Sequence, residues 1–112
     1  MKQSRILGTG SYVPPRVWKN SDLKDMMDTS DEWIQQRTGI KQRHWVEQDS
    51  NTCTSDLAVH AAQRALENAK VDKSEIDMVI LATLSPDHEF PGTACFFQAK
   101  MGIPGIPALD VR

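Results

Sequence analysis

The chain has 112 residues, 39% hydrophobic and 25% charged, which suits one modest globular core and does not fit a disordered tail. A formal net charge of -2, with Lys and Arg scattered rather than striped, gives no electrostatic footprint for nucleic acid. The longest apolar run, Met78 to Leu84, is far too short for a membrane span, and Met1-Lys2-Gln3-Ser4-Arg5 is followed by no signal-peptide core, so no membrane partner and a cytoplasmic location are expected.

Two cysteines, Cys53 and Cys95, make neither a disulfide framework nor a metal-ligand spacing, and both are expected to be reduced. Arg5-Ile6-Leu7-Gly8 reads as a short strand. The Gly8-Thr9-Gly10 turn after it is no dinucleotide fingerprint, because a third Gly is missing and Tyr12-Val13-Pro14-Pro15 cannot open a helix. Asn20 is expected to cap a short helix with Asp22 in its first turn, placing Leu23, Met26 and Met27 on one core or pocket-wall face.

Asp28 to Ile40 is the most heavily punctuated stretch. Thr29 with Glu32 three residues later reads as a capping box, Asp31 and Glu32 suit the positive end of the helix dipole, and Gly39 ends the helix after about two turns. Trp33 and Arg37, four apart, share one face. An indole beside a guanidinium can stack a ring and hold a phosphate. The same two residues can equally be a packed Trp with an Arg stem lying over it.

Lys41 to Val46 is expected to be extended, with His44 structural. Thr54 to Lys70 is the longest helix, with Leu57, Ala58, Ala61, Ala62, Ala65, Leu66 and Ala69 forming a small-residue stripe and His60, Gln63, Arg64, Glu67 and Asn68 a solvated face. After a helical turn at Lys73 to Ile76, the run from Asp77 to Thr83 suits a strand covered on both faces, in the βαβ rhythm of an α/β protein. Asp87, His88 and Glu89 are adjacent in sequence, and adjacent side chains rarely converge on one ion, so no metal site is expected. Phe90, held before Pro91, reads as an anchor whose ring is buried away from its own element. Thr93 to Met101 forms a helix closed by Gly102, in which Cys95 is a small buried apolar residue rather than a nucleophile. Ala108 to Val111 begins a second buried strand.

Ile6-Leu7-Gly8-Thr9-Gly10-Ser11-Tyr12-Val13-Pro14, followed by the run from Asp28 to Ile40, resembles the amino-terminal part of 3-oxoacyl-acyl-carrier-protein synthase III, a thiolase-fold condensing enzyme. The resemblance implies a layered α/β/α fold, with residues 1–112 forming the amino-terminal part of the first thiolase-like half. It implies that Trp33 and Arg37 contact the adenine and phosphate end of coenzyme A, that Thr29 lines the same entrance, and that Phe90 reaches across a homodimer interface to shape the partner's acyl pocket.

The implied reaction takes an acyl group from acyl-coenzyme A onto a cysteine and condenses it with malonyl-acyl-carrier protein, with no cofactor beyond the substrate. The family's reactive Cys, and its later His and Asn, would follow Arg112. The 112 residues are therefore expected to be an inactive fragment with no catalytic residue of its own. Two other readings stand beside this one: a related thiolase-fold acyltransferase or specialised condensing enzyme, and a non-catalytic module that binds coenzyme A or caps a partner.

Overall fold

The computed structural model describes residues 3–112. Met1 and Lys2, part of the start read above as lacking a signal peptide, lie outside the described residues. Two compact units emerge: Val13–Asn51, and the residues up to Tyr12 together with Thr52–Arg112.

In the smaller unit, β1 (Val17–Lys19) pairs antiparallel with β2 (Gln42–His44), Trp18 opposite Arg43. Between them lie a 3-10 helix, Asn20–Asp25, and α1, Asp31–Thr38. The 3-10 helix is entered through Lys19, whose amide donates to the Asp22 carboxylate at 2.8 Å. Asn20 is therefore no cap. It is buried at 1% exposure, donating to Asp31 Oδ1 at 2.8 Å and to the Ile40 carbonyl at 2.6 Å, and accepting from Arg43 at 3.2 Å. A carboxamide can be buried only when its donors and acceptor are matched in this way. Leu23 and Ile34 fill the core beside it, whereas Met26 and Met27 are half exposed rather than core.

The larger unit opens with α2, Thr54–Ala69, and continues through a 3-10 turn, Lys73–Glu75, to β3 (Val79–Ala82), α3 (Thr93–Met101) and β4 (Ala108–Val111). β3 and β4 pair in parallel, Val79 opposite Ala108 and Ala82 opposite Val111, so α3 is the crossover of a βαβ unit. Val79, Ala94, Phe97, Met101 and Ile103 form the core, with Ala58, Ala62 and Leu66 of α2 packed against it.

Three expectations change here. Residues 5–8 join no ladder among the described residues; extended backbone becomes a strand only when a neighbour accepts its hydrogen bonds. Instead this segment lies along α2, so closely that a Cβ on Gly8 would stand 2.7 Å from that of Ala69. The α2 face read as solvated is exposed at all five positions but is not merely solvated, since three of its residues also hold this segment: Asn68 accepts from the Thr9 amide at 3.2 Å, Arg64 donates to the Ser11 carbonyl at 2.7 Å, and His60 stacks on Tyr12 at 4.5 Å. The strands, in turn, are covered on one face only among the described residues. Val79 is buried while Ile80 is 64% exposed, and Leu109 is also open, the alternation expected when helices pack on a single side.

Candidate functional site

α1 carries the sequence-predicted pair, and its ends explain its geometry. The N-cap is Ser30 rather than Thr29: its backbone is extended, and its Oγ accepts from the Trp33 amide at 3.1 Å. Thr29, one residue earlier, is half-buried just outside the helix. Gly39 at φ 72° turns the chain out, its amide donating to the Gln35 carbonyl at 2.8 Å, a conformation that costs Gly least. Asp31 in the first turn accepts from Gln35 at 2.7 Å and from Asn20. Those bonds, Gln35 first, hold its carboxyl below the ordinary carboxylate value.

From this helix the Arg37 guanidinium lies over the Trp33 ring, 5.1 Å from its centroid. Trp33 is 54% exposed. Among the described residues, the ion pairs are Arg16 with Glu47 and Lys100 with Asp56, and neither involves Arg37. The pair thus presents an open aromatic face and a cation with its charge uncompensated by any carboxylate in reach, a combination that suits a flat ring carrying phosphate.

A second stack in the same unit was not visible from local spacing. Arg16 sits 4.4 Å from the Trp18 ring, and Trp18 packs on Trp45 at 5.1 Å. Here the charge is taken up by Glu47 and both indoles are half-buried, so this cluster staples β1 to β2. His44 has the structural role expected of it, its Nδ1 meeting the Pro14 carbonyl at 2.6 Å.

The remaining candidates belong to the larger unit. Phe90 is 92% exposed, so no part of the described chain buries the ring that the sequence marks as an anchor. Cys95, expected to be buried, is exposed on α3. Asp87 makes no ion site: its carboxylate accepts from the Ser55 amide at 2.9 Å and from the Ser55 hydroxyl, while His88 turns to Phe96 at 5.1 Å. Among the described residues no cluster of His, Cys, Asp or Glu could hold a metal. An open cleft of about 570 Å³, lined by Ile6, Leu7, Ala61, Ala65, Ile80 and other apolar side chains, offers little that could fix a polar ligand.

No family model matches the chain. Among curated proteins, it is 52% identical over 108 residues to beta-ketoacyl-[acyl-carrier-protein] synthase III 1 of Vibrio parahaemolyticus, covering 96% of this chain and 34% of that protein. It is 54% identical over 111 residues to beta-ketoacyl-[acyl-carrier-protein] synthase III of Hyphomonas neptunium, covering 99% and 34%. Among solved structures, 3-oxoacyl-[acyl-carrier-protein] synthase III from Aquifex aeolicus superposes with a TM-score of 0.84 at 44% identity, over 95% of this chain and 33% of that one. The chain spans about a third of the length of the curated relatives it matches, and its fold is the α/β fold of thiolase-like condensing enzymes.

Proposed function

We propose, from the premise that the chain is homologous to the beta-ketoacyl-[acyl-carrier-protein] synthase III proteins, that it forms the coenzyme-handling, amino-terminal part of a condensing acyltransferase. The intact protein takes an acyl group from acyl-coenzyme A onto a cysteine, then joins it to malonyl-acyl-carrier protein with loss of carbon dioxide, initiating fatty-acid synthesis. Covalent capture divides a difficult carbon–carbon bond formation into two accessible steps. In this reading residues 1–112 are part of one larger thiolase-like domain and supply none of the bond-making groups. The enzyme works as a cytoplasmic homodimer with acyl-coenzyme A as substrate and no resident cofactor, and neither nucleic acid nor membrane is a partner.

Within the chain, Trp33 stacks the adenine, Arg37 meets the phosphates, Thr29 lines the same entrance, and Phe90 enters the acyl pocket of the partner subunit. The carrying observation is the exposed Trp33–Arg37 stack, with Arg37 in no ion pair among the described residues. It contrasts with the Arg16–Trp18 stack, where Glu47 takes up the charge.

The test is Trp33→Ala in the full-length enzyme. A lost base stack should raise the KM for acyl-coenzyme A at least about fivefold, the low end of what one stacked base contributes. The KM for malonyl-acyl-carrier protein should stay within about twofold. Equal losses with both substrates would return Trp33 to a packing role.

A further inference from the structure

The segment Ser85 to Ala94 is tied down on both sides of Phe90, and the ties come from the same unit. The Ser85 carbonyl accepts from the Thr54 hydroxyl at 2.6 Å. Asp87 grips the first turn of α2 with both carboxylate oxygens, one on the Ser55 amide and one on the Ser55 hydroxyl. Its own amide donates to Thr93 Oγ1 at 2.9 Å. Ser55 and Thr93 are both fully buried. Lys100 donates to Ser55 Oγ at 2.7 Å, leaving that hydroxyl's proton for Asp87. Beyond Phe90, Asp110 accepts from the Ala94 amide at 3.0 Å and fills the space beside Gly92.

Two of these ties satisfy amides at the starts of α2 and α3, and together with the bonds of Ser85 and of the Asp87 amide they also fix the path of the loop between β3 and α3 against two buried hydroxyl residues. What the ties hold in place is an aromatic ring projected into solvent, and a pocket wall must be held to a fraction of an ångström to discriminate between ligands. We infer that Ser55, Asp87 and Thr93 are positioning residues for Phe90, and through it set which acyl groups the enzyme accepts. The inference rests on the proposed role of Phe90 in an acyl pocket and adds the residues that fix where that wall stands.

The experiment measures, in the full-length enzyme, the ratio of kcat/KM for hexanoyl-coenzyme A over acetyl-coenzyme A in Phe90→Ala, Asp87→Asn, Thr93→Val, Thr93→Ser and the double variant Asp87→Asn/Phe90→Ala. Phe90→Ala and Asp87→Asn should each raise the ratio about tenfold, the scale of discrimination a few methylenes support. Thr93→Val should move it the same way by about threefold, and Thr93→Ser, which keeps the hydroxyl, should leave it as it is. The double variant should go no further than Phe90→Ala alone, because a wall already removed cannot be displaced.

If Phe90→Ala shifts the ratio while Asp87→Asn and Thr93→Val lower the unfolding temperature and leave selectivity untouched, the positioning role is overturned and the pocket role stands. If Phe90→Ala itself leaves the ratio unchanged, the pocket role fails and the inference goes with it. Should Asp87→Asn yield no folded protein, the contrast between Thr93→Val and Thr93→Ser decides.

Discussion

Asn20 holds both ends of the helix that bears Trp33 and Arg37, and its replacement should be felt in the stability of that unit. Its amide nitrogen reaches Asp31, the first residue of α1, and the carbonyl of Ile40, just past the helix C-cap; its oxygen takes a bond from Arg43. At 1% exposure, no water stands ready to replace it. Three part-buried bonds at about 1 kcal/mol each put Asn20→Ala at about 2–4 kcal/mol.

Urea unfolding followed by tryptophan emission is a direct assay, since Trp18, Trp33 and Trp45 are all the tryptophans of the sequence and all lie in this unit. Asn20→Asp adds a signature in pH. It sets a carboxylate against the Asp31 carboxylate and the Ile40 carbonyl, so one of the two acids acquires a raised pKa. A raised folded-state pKa gives stability that is present at low pH and lost as pH rises through it. Asn20→Asp should therefore gain stability, relative to wild type, as the pH falls from 7 toward about 4. An Asn20→Leu variant within about 0.5 kcal/mol of wild type, or an Asn20→Asp variant with the wild-type pH slope, would refute the hub.

Other expectations follow from single contacts. Gly10→Ala should cost about 3 kcal/mol or more in thermal unfolding, because the new Cβ meets the Ala61 carbonyl oxygen and the Ala65 amide, backbone that cannot yield. Gly39→Ala, with φ at 72° and open space around it, should cost only about 1 kcal/mol. Asp56 has its carboxyl held below its ordinary value of 3.8 by Lys100 first and the Cys53 amide second. That stability is present above the ordinary value and lost as pH falls through the lowered one, so Asp56→Asn should flatten the acid limb of a stability–pH curve, measured by circular dichroism. Glu47→Gln should change stability by less than about 0.5 kcal/mol in the same assay, since the ion pair with Arg16 is exposed on both sides.

What could be read from sequence was whatever a local period or a local cap specifies. The alanine stripe delimits α2 to within one residue at its C-terminus, Gly39 and Gly102 end their helices in the left-handed region as expected, and the parallel pairing of β3 with β4 follows from the βαβ rhythm. The Trp33–Arg37 stack was legible for the same reason, because a spacing of four on a helix already implies contact. The choice of Ser30 over Thr29 as cap was not. Both hydroxyls can serve, and the local pattern does not say which residue turns extended.

The deeper losses are all cases in which a polar residue serves an element far from its own. Asn20 looked like a cap because Asn often is one, yet its partners lie 11, 20 and 23 residues ahead. Asp87 caps α2 from 32 residues downstream, and Asp110 caps α3 from 16 residues past the amide it holds. A helix N-terminus asks only for an acceptor, wherever in the chain it comes from. Periodicity records which face of an element is apolar and leaves unstated which distant carboxylate will meet its end. The loop carrying Phe90 is held by bonds of this long-range kind, so the residues proposed to govern selectivity are ones that local patterns cannot announce.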